Sequence, residues 1–225
     1  MRIRSFIIAY AFVLAILLFA DRRPSPGEDR YSHVVDLTDG QVGDKQASTA
    51  RGSEGRDSSE SRTQIVAPDA LIPGTWTASQ IPAERLIAPL VVIDVKPSNT
   101  GTSELSLDDI ANWEDRNGTI PQGAVIAVRW AALSSHQPTT AFPINSRTAQ
   151  FLMDARYTTG FATEAPADFN LDRTLARQIA LHGNYVVEGA SRLSALPPTG
   201  SLIIVAPAKK KDGGRAPVRV LAMVR

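Results

Sequence analysis

The sequence predicts an α/β domain behind a leading segment of different character. Two runs, residues 89–95 and 124–130, are apolar but for Asp94 and Arg129 and carry many β-branched side chains. Runs of that kind read as strands buried on both faces. Residues 107–116, 146–156 and 171–182 have helical character, the second with Ala149, Phe151, Leu152 and Ala155 at helical spacing. Strands and helices intermix along the chain instead of separating into blocks, which is the mark of the α/β and α+β classes.

The chain opens with Arg2 and Arg4, an apolar run over residues 5–20, and then Asp21-Arg22-Arg23-Pro24. A basic start, an apolar run and a polar break predict a signal peptide or signal anchor over residues 1–20. The run falls short of the roughly 20 apolar residues that span a bilayer easily. The chain is therefore expected to be secreted or extracytoplasmic, with membrane anchoring through this segment as the other outcome. Residues 21–62 are polar and predict a largely flexible region, interrupted by a short strand at 34–38. Residues 63–225 form the domain proper.

Within that domain, residues 81–86 read as a turn entering a brief helix. Strand 89–95 follows, then helix 107–116, with Ser106 as N-cap, Asp108 and Asp109 at its positive end, and Asn117-Gly118 as its stop. Strand 124–130 precedes helix 146–156. Helix 171–182 ends at Gly183 and leads to a strand at 185–187. Strands 202–206 and 218–224 close the chain around a basic turn at 209–215.

Composition excludes several chemistries. No cysteine is present, so there is no disulfide, thiolate metal site or cysteine nucleophile. The formal net charge is +1, and no aromatic-basic stripe appears, so no nucleic-acid partner is expected. There is no glycine-rich phosphate loop and no G-x-S-x-G elbow. The three histidines, His33, His136 and His182, show no ligand spacing. His33 and His136 fall in predicted loops, and His182 reads as a helix-end residue facing the C-terminal dipole.

Several segments taken in order resemble one family. They are residues 34–38, with Asp36-Leu37-Thr38; Ile72-Pro73-Gly74-Thr75-Trp76-Thr77; the stretch IANWEDRNGTI over 110–120; Phe142-Pro143 with helix 149–156; Leu196-Pro197-Pro198-Thr199-Gly200; and the closing strand 214–224. Together they resemble the cyclase family of metal-dependent hydrolases, which includes kynurenine formamidases (arylformamidases) and isatin hydrolases. The resemblance implies a swivelling β/β/α domain, often a homodimer, that hydrolyses C–N bonds, as in tryptophan catabolism.

The family's site is the motif H-x-G-T-H-x-D-x-P-x-H, with a further His and Glu twelve residues apart near the C-terminus. Such ligands hold zinc or manganese, which acidifies a bound water and polarises a carbonyl. Anchored on Thr63 and Pro68, the motif falls on residues 60–70. Glu60 and Gln64 stand at histidine positions, Arg62 at the glycine, Val66 at the aspartate and Ala70 at the last histidine. Glu188 matches the C-terminal carboxylate, while Ala176 stands where its histidine belongs. Glu60, Asp69 and Glu188 are the candidate metal ligands; Gln64, Val66, Ala70 and Ala176 are degenerate positions. Other departures are Val128-Arg129-Trp130 in place of R-T-x-W, and residues 160–165 in place of G-x-G-x-D-T.

The expected function is that of a catalytically impaired member, without a cofactor, binding an unidentified small molecule or protein. The alternative is a working hydrolase of an amide or lactam such as N-formylkynurenine, with zinc or manganese held by Glu60, Asp69 and Glu188.

Overall fold

The computed structural model describes residues 31–39, 63–95, 104–130, 142–164, 172–209 and 214–225. The leading segment 1–20, the polar stretch 40–62 with Glu60, and His136 lie outside the described residues. Among the described residues no helix is long and apolar enough to cross a membrane.

Eight strands run in chain order: β1 (His33–Asp36), β2 (Gln64–Val66), β3 (Ile87–Val95), β4 (Val125–Trp130), β5 (Gly160–Thr163), β6 (Tyr185–Glu188), β7 (Ser201–Pro207) and β8 (Arg215–Val224). They form one sheet in the order β1-β8-β2-β6-β5-β4-β3-β7, and β7 pairs back onto β8. Seven strands therefore close into a barrel. β1 and β2 lie end to end along one edge of β8, pairing with Leu221–Val224 and Arg215–Pro217 respectively. β3, β4, β5 and β6 are mutually parallel; the remaining pairings are antiparallel.

The apolar runs have no polar alternation because each strand serves two cores. Leu90, Val92, Val125, Ala127, Ala162 and Val187 fill the barrel interior with Ile203, Val205 and Val220. Their sequence neighbours Val91, Ile93, Ile126, Val128, Phe161 and Val186 pack outward beneath the helices. Period-2 alternation thus sorts side chains between two apolar environments.

The outer layer consists of α1 (Pro68–Leu71), α2 (Leu107–Asn117), α3 (Ser146–Arg156) and α4 (Arg173–Leu181). Ser106 caps α2 as predicted: its hydroxyl accepts from the Asp109 amide at 3.2 Å, and the Asp109 carboxylate accepts from the Ser106 amide at 3.0 Å. Trp113 anchors the buried face, donating its indole N–H to Val92 O at 3.0 Å. Asn145 and Asp172 cap α3 and α4.

Four features depart from the sequence reading. β2, β5 and α1 have three or four residues each, too few to set a periodicity, and neighbouring strands or α4 hold them in place. β8 begins at Arg215, earlier than the expected 218, because pairing with β2 recruits residues 215–217 despite Pro217. His33 opens β1 instead of lying in a loop. The brief helix expected at 81–86 shrinks to a single 3₁₀ turn, Ala83–Arg85.

Candidate functional site

Among the described residues, those that the motif singles out gather on the helix-bearing side of the barrel. Gln64 lies directly opposite Glu188 in the β2–β6 ladder, and Val66 opposite Val186. Opposed residues of an antiparallel pair share a face, so Glu188 points outward with Val186, away from the interior that receives Val187. Gly189 follows at φ 64° and turns the chain at once. The turn is pinned by Thr63, whose hydroxyl donates to Gly189 O at 2.7 Å.

Glu188 is completely buried. Its Oε2 accepts a hydrogen bond at 2.7 Å from Nη1 of Arg215, whose side chain is 43% exposed. Arg215 opens β8 opposite Val66 and reaches diagonally to Glu188. Its placement depends on Gly214, where a Cβ would overlap the backbone of Ala70. Gly214 O also accepts from the Ala67 amide at 2.6 Å. This close approach sets α1 against the start of β8, and α1 packs in turn on α4, which carries Ala176. Gln64, Val66, Ala70, Ala176 and Glu188 thus belong to one neighbourhood, and among the described residues Glu188 and Arg215 bring charge to it.

Asp69 is engaged otherwise. Its Oδ1 accepts from the Gly74 amide at 2.8 Å, and its own amide donates to Trp76 O at 3.0 Å. It builds the turn after α1. His182 closes α4 at the far end of β6, about 10 Å of strand from Glu188. Its Nδ1 contacts Gln178 O at 2.8 Å and its Nε2 contacts Asp154 at 2.9 Å.

A divalent ion needs several lone pairs converging on one point. Val66, Ala70 and Ala176 offer none from their side chains, Gln64 is neutral, and Glu188 already faces a guanidinium. Among the described residues no group of three or more His, Cys, Asp or Glu side chains could hold a metal ion. The described donor set does not fit the family's metal.

A second charged cluster sits at the barrel mouth, on the interior side of the carboxyl ends of β3, β4 and β5. Asp94 and Arg129 are register partners on adjacent parallel strands and form a bidentate pair at 2.5 and 2.9 Å. Arg129 also donates to Leu193 O at 3.0 Å, fixing the loop after β6. Glu164 stands beside them. Burial pushes its carboxyl above the usual glutamate range, against the lowering pull of Arg129 and of a hydrogen bond from the Leu193 backbone. The sequence signal for this cluster was the charged residue one position before the end of each apolar run, Asp94 before Val95 and Arg129 before Trp130. Beside it opens a cleft of about 680 Å³, lined by Asp94, Asn112, Trp113, Arg116 and Pro198 among others, on the α2 side and apart from Glu188.

Comparison with known proteins gives a consistent picture. The family model described as "Putative cyclase" matches residues 56–168. Isatin hydrolase A from Labrenzia aggregata, bound to benzyl benzoate, is 25% identical with a TM-score of 0.66, covering 85% of this chain and 93% of that one. Isatin hydrolase A from Ralstonia solanacearum is 23% identical with a TM-score of 0.62, covering 86% and 92%. An isatin hydrolase bound to the product analogue thioisatinate matches at 18% identity and a TM-score of 0.58, covering 100% and 99%. No curated protein sequence matches the chain.

Proposed function

This chain belongs to the cyclase family, and on that premise we propose that it keeps the hydrolase scaffold without the metal-dependent reaction. Its role is then that of a binding or structural protein. One observation carries the reading: the carboxylate at the family's ligand position is buried against Arg215 at 2.7 Å, while Val66, Ala70 and Ala176 at the partner positions have no side-chain lone pair. Both apolar layers are filled, which supports a scaffold that folds without the metal site.

Secretion or anchoring through residues 1–20 and assembly as a homodimer are part of the same proposal. They rest on the leading apolar run and on the family resemblance. The ligand is a small molecule or protein; because the similar solved proteins include isatin hydrolases, isatin is the first small molecule to try as a bound, uncleaved probe.

The test is elemental analysis of the purified chain after dialysis against zinc and manganese, using a tag without histidine. The expected result is a folded protein without stoichiometric metal. Near-stoichiometric metal that disappears in Glu188→Ala would sink the proposal and restore the alternative, an amide or lactam hydrolase completed by Glu60, Asp69 and Glu188.

A further inference from the structure

The Glu188–Arg215 pair supports an inference that rests on the metal-free reading and goes beyond it. We propose that Arg215 is a built-in cation that takes over the charge-neutralising work of a metal ion at Glu188, and in doing so ties β8 to β6 across β2.

Glu188 is the one position among the described ligand sites that keeps the family's residue type, and it has no exposure at all. An isolated carboxylate in that environment is strongly disfavoured unless a positive charge and hydrogen bonds compensate it. In the family a metal supplies that charge. Here Nη1 of Arg215 lies 2.7 Å from Oε2, and a guanidinium so placed repels an incoming divalent ion while doing the same neutralising work.

The surrounding substitutions suit the exchange. Val66 stands at the motif's aspartate position and directly opposite Arg215. An aspartate there would compete for the guanidinium, and valine does not. Gly214 lets the start of β8 close on the Ala70 backbone, where a Cβ would collide, and this brings Arg215 within reach. Ala70 and Ala176 add no side-chain donor that would draw a metal ion to Glu188. The pair also spans strands that are not neighbours, since β2 lies between β6 and β8.

A double-mutant cycle on the full chain tests the proposal, using denaturant unfolding of the parent chain, Arg215→Met, Glu188→Gln and the double variant. Zinc and manganese titrations of the parent chain by calorimetry run alongside. Arg215→Met is expected to lower the folding equilibrium constant by roughly a hundredfold, the loss that follows when a buried carboxylate loses a cationic partner, moderated here because Arg215 is partly solvated. The double variant should recover most of that loss, and Arg215→Lys should fall between the parent and Arg215→Met. Should Arg215→Met fail to fold, folding of the double variant supports the proposal on its own, and failure of both overturns it. Strictly additive single effects would overturn the role of Arg215 while leaving the metal-free reading intact. Stoichiometric binding of zinc or manganese by the parent chain would instead overturn the reading beneath it.

Discussion

Glu164 links a single burial event at the barrel mouth to a measurable pH dependence. Its carboxyl titrates above the usual glutamate range because burial disfavours the charge more than Arg129 and the Leu193 backbone favour it. A group that binds its proton more tightly in the folded chain stabilises the fold below its unfolded pKa, and that contribution is lost as pH rises through the folded value. The stability of the parent chain relative to Glu164→Gln should therefore fall across that window in parallel denaturant melts; superimposable pH profiles would disprove it. Gly214 offers a second residue-scale test. Gly214→Ala forces a Cβ into the Ala70 backbone, and overpacking of this kind costs about 1–3 kcal/mol, readable as a lower denaturation midpoint at unchanged slope. Only part of either site was legible in the sequence. Motif spacing marked Glu188 as a surviving carboxylate, but Arg215 lies 27 residues away in the chain and was read as part of a basic turn. Only the β2–β8 register makes it a partner.

At the scale of elements, local signals succeeded where they were dense. Ser106 and Asp109 wrote a capping box into the sequence, and α2 begins there. The eleven residues of α3 carried enough apolar positions to fix both ends. Ser106→Ala should cost about 1 kcal/mol, and a stability change near zero would show that Asp109 or solvent satisfies the first turn unaided. The elements that escaped are those whose residues carry no signal of their own. Gly160–Thr163 and Gln64–Val66 are strands because a ladder on either side supplies their hydrogen bonds. Pro68–Leu71 is a single turn seated between β8 and α4. Tertiary pairing overrides weak local preference in such short pieces.

For the whole molecule, β8 is the strand on which closure depends. It pairs with β1, β2 and β7, so freeing it opens the barrel and exposes the interior core together. Amides of Leu221 and Met223, on the side of β8 that pairs with β7, should exchange with solvent only through global unfolding, and hydrogen exchange should place them among the slowest in the chain. Protection there no greater than at the ends of α4 would contradict this account. The α/β class was readable from the intermixed elements, but barrel closure was not, because nothing in residues 202–206 or 218–224 specifies a second edge.

The sorting of adjacent side chains into two separate apolar layers has an evolutionary consequence. Val187 and Glu188 are consecutive, yet one belongs to the sealed interior and the other to the outer wall; Ile65 and Val66 divide in the same way. Substitutions in the wall therefore leave the interior's packing largely undisturbed, and changes in the two layers should combine independently when they share no neighbours. On the proposed reading, reactive groups in the wall can be exchanged one at a time while the barrel continues to fold. Architecture and surface chemistry are separable in such a barrel because alternate residues of the same strand answer to different constraints.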